Sequence, residues 1–123
     1  MTTGMIVQRT GWDVLVKGSG FDRHIRKVVA SDLMSDVLVV DDEDMLLLTS
    51  LASDQVLRTA QVVGAVGVVV VNGKPLPSSM VSVANSLGVS LLTARLSKYD
   101  ACIALHELLA AETRARAEQG ALP

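Results

Sequence analysis

Three short apolar runs that begin 22 residues apart constrain the fold of this chain more than any other feature. They occupy residues 45–48, 67–71 and 89–92, and each is followed by polar residues or glycine and then by a stretch with helical periodicity. Because the runs show no regular alternation of apolar and polar residues, we expect strands that are covered on both faces. Such strands, alternating with helices, form a parallel sheet through right-handed crossovers. The spacing therefore predicts a β-α-β-α-β-α core over residues 45–109, in a three-layer α/β fold with a parallel or mostly parallel sheet.

Each helix of this core is predicted by an apolar stripe at helical spacing. The stripes consist of Val56, Ala60 and Val63, then Met80, Val83, Ala84 and Leu87, and finally Cys102, Leu105 and Leu109. Ser53, Ser78 and Ser97 precede the three stripes and are predicted to cap the helix N-termini. Gly64 and Gly88 follow the first two stripes, at positions where helices commonly end.

Residues 1–44 are predicted to form a short α/β extension of the same domain, which would span residues 1–109. The pattern indicates, in order, a helix at residues 3–10 that Gly11 ends, a strand at residues 12–16, a turn at residues 17–20 and an extended piece at residues 25–30. A short helix over residues 33–38 should follow. Ser31 or Asp32 is expected to cap it.

Residues 110–123 are predicted to form a charged helical tail. Glu112, Arg114, Arg116 and Glu118 stand there among alanines, with no apolar stripe. We expect this tail to extend the last helix into solvent and to fray by Gly120. The alternative is an arm that contacts a partner.

Composition excludes several classes of function. The formal net charge is -2, so no basic field attracts nucleic acid or anionic lipid. Trp12, Phe21 and Tyr99 are the only aromatic residues, too few for a base-stacking platform. The single Cys102 excludes an internal disulfide and an all-thiolate metal site. The chain opens without a leader pattern, and no apolar run approaches the roughly 18 residues of a membrane span, so we expect a cytoplasmic protein.

A ligand edge is predicted where the strands of the core end. Parallel sheets bind ligands beyond the carboxyl ends of their strands, where helix N-termini present free N–H groups. The candidate ligand-binding residues at this edge are Ser31, Asp32, Thr49, Ser50, Ser53, Asn72, Gly73 and Thr93. Hydroxyl, amide and glycine groups suit a small anion, but the same residues are also common helix caps and turn formers. Both interpretations remain open at the level of the sequence.

No convincing catalytic or cofactor motif is present. Residues 67–75 lack the spacing of a phosphate-binding loop, and Pro75 stands where that loop needs Ser or Thr. The acidic run at residues 41–44 is expected to be an exposed linker, because it lacks the ligand pattern of a calcium loop. Asp32 and Asp36, four residues apart, would share a helix face and could hold magnesium or act in acid–base catalysis, although capping and solvation are commoner roles. We therefore predict no cofactor, no metal and no enzymatic activity.

Several segments resemble the small stand-alone DRTGG-domain proteins, which are similar to the N-terminal domain of HPr serine kinase/phosphatase. The segments are residues 29–38, 48–49, 69–74 and 87–89, and the first, with its Ser-Asp-Leu-Met-Ser-Asp-Val sequence, is the most specific. The kinase domain of that enzyme is absent. The resemblance implies a three-layer α/β fold, a regulatory or assembly role and dimerisation. Stand-alone members often occur near genes for hydrogenases, which implies a redox-enzyme partner.

The leading hypothesis is thus a non-catalytic module that self-associates, most simply as a homodimer, and binds a small anion or nucleotide at the strand edge. An accessory or scaffold protein of a hydrogenase-type redox system is the alternative, with the charged tail as its docking arm. A metal enzyme that uses Asp32 and Asp36 ranks third.

Overall fold

The three apolar runs form the central strands of a five-stranded sheet in the computed structural model, which describes residues 1–120. Two helical layers cover this sheet. The elements are α1 (Thr3–Thr10), β1 (Asp13–Val16), β2 (Lys27–Ala30), α2 (Met34–Leu38), β3 (Met45–Thr49), α3 (Asp54–Val63), β4 (Gly67–Val70), α4 (Ser78–Leu87), β5 (Ser90–Thr93) and α5 (Lys98–Gly120).

The sheet has the strand order β1-β5-β4-β3-β2. Strands β2 to β5 are parallel, with Leu47 of β3 opposite Val68 of β4 and Val68 opposite Leu91 of β5. Only β1 runs antiparallel, beside β5. The predicted three-layer α/β fold with a mostly parallel sheet is confirmed. The two strands of residues 1–44 lie at opposite edges of the sheet, so the N-terminal extension flanks the core on both sides.

The central strands are apolar on both faces because both faces are covered. Along β3, Met45 and Leu47 face the layer of α2, α3 and α4, whereas Leu46 and Leu48 face α1 and α5. All four side chains are fully buried. Burying a Leu or Met side chain stabilises a fold by roughly 1.5–3 kcal/mol. This burial explains why the runs show no alternation with polar residues.

Most predicted helix ends are confirmed, and one predicted cap is wrong. Gly64 and Gly88 end α3 and α4 in the left-handed conformation, and the Ser97 hydroxyl accepts the backbone N–H of Asp100 at 3.1 Å. Ser53 occupies the position before α3 without a side-chain capping bond. Ser78 is not a cap, because the helix begins with it and Pro77 precedes it.

The expected cap of α2 is also wrong. This helix begins at Met34, and Leu33 stands at its N-cap position. The Ser31 hydroxyl accepts the N–H of Leu33 at 3.1 Å in a local turn before the helix. Asp32 does not cap, because its carboxylate bonds to groups on β3 and α5 instead.

The last helix continues through the predicted tail to Gly120, but Glu112 at the start of the tail is bonded to the N-terminus and is not simply solvated. The N-terminal amine of Met1 donates a hydrogen bond of 2.7 Å to Glu112, and Arg116 lies 3.4 Å from the same carboxylate. The bond from the amine lowers the pKa of Glu112 below its ordinary value. Residues 113–119 are exposed, and residues 121–123 of the predicted tail lie outside the described residues.

Over residues 1–120, none of the helices combines the length and the apolar character that crossing a bilayer requires.

Candidate ligand-binding site

Three of the predicted site residues meet around one carboxylate at the carboxyl edge of the sheet. Asp32 follows β2, and its Oδ1 atom accepts hydrogen bonds from the Thr49 hydroxyl at 2.9 Å and from the Ser50 N–H at 2.7 Å. Its Oδ2 atom accepts bonds from the Ser50 hydroxyl at 2.5 Å and from Lys98 Nζ at 2.6 Å. We call Asp32, Thr49, Ser50 and Lys98 the Asp32 cluster. It ties the ends of β2 and β3 to the first residue of α5.

The electrostatics of the Asp32 cluster keep its carboxylate charged. Burial alone would raise the pKa of Asp32, but the hydrogen bonds from Lys98, Ser50 and Thr49 outweigh burial and hold this pKa well below its usual range. All four donors are thus already used by an anion that belongs to the chain. A free anion at these groups would compete with Asp32 for the same hydrogen bonds, and the cluster as it stands stabilises the ends of β2 and β3 and the start of α5.

Lysine residues complete this edge, and the sequence reasoning missed them. Lys98 is the first residue of α5, and Lys74 follows the turn after β4 and donates to the Ser50 carbonyl at 3.0 Å. Both positions come after predicted strands on the same edge, which is the signal that could have identified them. Ammonium groups at this edge are typical partners of carboxylates and phosphates.

The structure places the other predicted residues outside the cluster. Ser31 and Ser53 stand before α2 and α3. Asn72 and Gly73 form a turn with positive φ values of 70° and 61°, a conformation that suits these two residue types. Their N–H groups donate to the carbonyls of Leu96 and Ala94 at 2.8 and 3.0 Å, so the turn fastens the loop after β4 to the loop after β5.

Thr93, the last predicted residue, lines a cavity of about 440 Å³ at the end of β5. A second cavity of about 340 Å³ adjoins it and shares three of its lining residues, Thr10, Trp12 and Leu96. Gly11, Asp13, Ala94 and Arg95 complete the first cavity, and Arg9, Ala104, Glu107 and Leu108 complete the second. We call the two cavities together the Trp12 groove. They have the volume typical of small-molecule sites.

Local structure at the end of α1 positions one wall of the groove. Gly11 adopts a left-handed conformation with φ 73° and turns the chain from α1 into β1. The Thr10 hydroxyl accepts the N–H of Trp12 at 3.2 Å and donates to the carbonyl of Ile6 at 2.8 Å. Trp12 is 8 % exposed and belongs to the core that faces α5. Antiparallel pairing then sets Asp13 opposite Thr93.

The groove also carries charged side chains of both signs. Arg95 and Asp13 line the larger cavity, and Arg9 and Glu107 line the smaller one. All four side chains are exposed, and none joins an ion pair among residues 1–120. The groove therefore combines an apolar wall around Trp12 with guanidinium groups that form no ion pair with any carboxylate of the described residues.

The predicted pairing of Asp32 with Asp36 on one helix face is wrong, because α2 begins only at Met34. In the acidic run, Asp44 pairs with Arg23, and Asp42 pairs with Lys27 at 3.2 Å. Across the described part of the chain, no three His, Cys, Asp or Glu side chains are grouped so that they could hold a metal ion. Asp32 and Asp36 therefore do not share the helix face on which the hypothesis of a metal enzyme places them.

The sequence matches no protein-family model, and a search of curated proteins gave no match either. The resemblance to the DRTGG-domain proteins therefore rests on residues 29–38, 48–49, 69–74 and 87–89 alone.

Proposed function

We propose that this chain is a non-catalytic regulatory module that binds a small anionic ligand at the carboxyl edge of its sheet, in the Trp12 groove. The observation that carries the proposal is a cavity at this edge, beside an apolar wall, whose two guanidinium groups, Arg9 and Arg95, join no ion pair within residues 1–120. Ligands of parallel α/β sheets commonly bind beyond the strand ends. The resemblance to DRTGG domains supports a regulatory role.

The groove is a better candidate than the Asp32 cluster for the same ligand. In the cluster, the hydroxyl, N–H and ammonium donors already bind the Asp32 carboxylate. In the groove, Arg95 is exposed and has no carboxylate partner in an ion pair among the described residues. An incoming anion can therefore gain charge-assisted hydrogen bonds there without displacing one that the fold already makes.

Fluorescence of Trp12 tests this proposal directly, because the chain contains one tryptophan. Inorganic phosphate, AMP, simple carboxylates and α-amino acids are the probes. We expect at least one class to change the Trp12 emission in a saturable manner and to raise the melting temperature, as a ligand of the folded state does. Arg95→Gln should weaken that probe about tenfold, or about 1.4 kcal/mol.

Arg58→Gln is the matched control for this titration. Arg58 is exposed on α3, in the helical layer on the other face of the sheet, so its replacement should leave binding unchanged. The proposal fails if no probe of any class binds. It also fails if Arg95→Gln and Arg58→Gln affect binding equally.

Self-association is the second part of the proposed function. Besides the resemblance, exposed apolar side chains support it: Leu38 and Val39 at the end of α2 are 51 % and 77 % exposed, and Val62 of α3 is 74 % exposed. Protein contacts bury exposed apolar side chains of this kind, and a symmetric dimer is the commonest closed assembly. Light scattering after size exclusion should give twice the monomer mass of 13.0 kDa. A monomer mass at millimolar protein would contradict this expectation.

A further inference from the structure

We infer that the ligand of the Trp12 groove is a zwitterion, namely an α-amino acid with an apolar side chain. This inference rests on the proposed function, because it identifies the anionic group of the ligand at that site as the carboxylate of an α-amino acid. Three observations carry it: the balance of charges in each cavity, the apolar wall that the cavities share, and the absence of ion pairs at the four charged residues among residues 1–120.

The first observation is that one guanidinium group and one carboxylate line each cavity without forming an ion pair with each other. Arg95 and Asp13 line the larger cavity together with the hydroxyls of Thr10 and Thr93. A phosphate group with two charges would gain from Arg95 but would be repelled by Asp13, and like charges placed together are costly. A ligand that carries one carboxylate and one ammonium group satisfies both side chains. The charge balance therefore favours a zwitterion over a nucleotide.

The second observation concerns the wall of the groove. Trp12 and Leu96 border both cavities, and Ala104 and Leu108 extend the apolar surface in the smaller one. Small-molecule sites are mostly apolar, with a few polar groups that fix the orientation of the ligand. Arg9 and Glu107 also border the smaller cavity, but both side chains are exposed, so the apolar wall is the part of this cavity that can pack against an uncharged side chain of the ligand.

These features assign a role to each part of the groove. The ligand carboxylate binds Arg95, whose planar guanidinium matches a carboxylate with two parallel hydrogen bonds. The ligand ammonium binds Asp13. The ligand side chain lies in the smaller cavity against Trp12, Leu96 and Leu108. Burial of this side chain supplies the apolar part of the affinity, at roughly 0.8 kcal/mol per buried CH₂ group.

Leucine and phenylalanine, each compared with two single-charge analogues, test the inference. The analogues are 4-methylpentanoate and 3-phenylpropionate, which lack the ammonium group, and isoamylamine and phenethylamine, which lack the carboxylate. Binding to the full chain is followed by Trp12 fluorescence and by calorimetry. We expect at least one of the two amino acids to bind at least tenfold more tightly than either of its analogues.

Two variants of the protein test the two charged groups of the ligand separately. Arg95→Gln should weaken both the amino acid and its deamino analogue about tenfold. Asp13→Asn should weaken the amino acid by a similar factor but should not weaken the deamino analogue, because the variant removes a negative charge that repels the analogue's carboxylate. Asp36→Asn is the matched control, because Asp36 is exposed on α2, away from the groove. Thermal melts of each variant establish that the fold is retained.

The outcomes distinguish this inference from the proposed function. If phosphate or AMP binds in a manner that depends on Arg95 while amino acids do not bind, the zwitterion is wrong and the anion site stands. If no probe binds, both are wrong. Amino-acid binding that Asp13→Asn leaves unchanged overturns the inference as well, because Asp13 is its ammonium partner.

Discussion

Replacing Asp32 by alanine is expected to lower the free energy of unfolding by about 3 kcal/mol at neutral pH, since hydrogen bonds to charged groups contribute roughly 1.5–3 kcal/mol each and are not additive. Four donors on Thr49, Ser50 and Lys98 lose their acceptor in this variant. Breaking a fully buried pair costs roughly 3–5 kcal/mol. Asp32 and Lys98 are 37 % and 35 % exposed, so water compensates part of the loss and keeps the effect at the lower end.

Urea unfolding of three variants measures this contribution. Asp32→Asn keeps the size of the side chain and one acceptor oxygen. Its free energy of unfolding should therefore lie between that of the wild type and that of Asp32→Ala. Asp36→Ala is the control, because Asp36 is exposed and makes no ion pair among the described residues. Surface changes of this kind stay within about 0.5 kcal/mol. Equal losses for Asp32→Ala and Asp36→Ala would show that the cluster does not stabilise the fold.

The pH dependence of the same comparison follows from the lowered pKa of Asp32. The Asp32 side chain gives up its proton more readily in the folded chain than in the unfolded chain, where its pKa has the ordinary value of 3.8. Its stabilisation is therefore fully present above that value and is lost as the pH falls toward the folded pKa. We expect the stability difference between the wild type and Asp32→Asn to be constant from pH 7 to about 5 and to shrink below pH 4. A difference that grows on acidification would contradict this.

The sequence predicts the sheet well because the residue types of each central strand reflect whether its two faces are buried. Leu46 and Leu47 point to opposite faces of β3, and both faces are covered, so a continuous apolar run is sufficient to indicate a buried parallel strand. Gly64 and Gly88 end their helices for an equally local reason, namely the left-handed conformation. Properties that depend on neighbours close in sequence are thus readable without the structure.

The role of Asp32 could not be predicted in this way. Its spacing of four from Asp36 suggests a shared helix face, but its actual partners, Ser50 and Lys98, are 18 and 66 residues away. Contacts over such separations depend on which strands are neighbours and on where α5 begins. The sequence predicts Thr49, Ser50 and Asp32 at the same edge of the sheet, but it does not indicate that the two side-chain hydroxyls bind the Asp32 carboxylate.

The Trp12 groove could not be predicted from the sequence for a related reason. One wall comes from residues 9–13 and the other from residues 93–108, and they meet because β1 pairs with β5 in the antiparallel direction and α1 packs against α5. Nothing in the alternation of residues 12–16 indicates which strand they join. Of the predicted site residues, Thr93 alone lines the groove, because it is the last residue of β5 and lies opposite Asp13 of β1.

Replacing Gly18 by alanine is expected to have an effect as large as that of Asp32→Ala, about 3 kcal/mol, which is the upper end for overpacking. A Cβ atom at this position would lie against the carbonyl oxygen of Gly88 and 2.5 Å from the backbone nitrogen of Ser90. Both are backbone atoms at the start of β5 and cannot rotate away as a flexible side chain can. The Gly18 N–H also donates to the Ser90 hydroxyl at 2.9 Å, and the Ser19 N–H donates to the Gly88 carbonyl at 3.0 Å.

Gly11→Ala separates this close approach from backbone strain. Gly11 has a positive φ of 73°, but a Cβ atom there would meet nothing within 4 Å, so its replacement should cost only about 1–2 kcal/mol for the left-handed conformation. Urea unfolding of both variants gives the comparison. If Gly18→Ala costs no more than Gly11→Ala, the contact with β5 does not limit stability. If it costs more, the tight contact between the end of β1 and the start of β5 holds β1 on the sheet, and that pairing also builds the Trp12 groove.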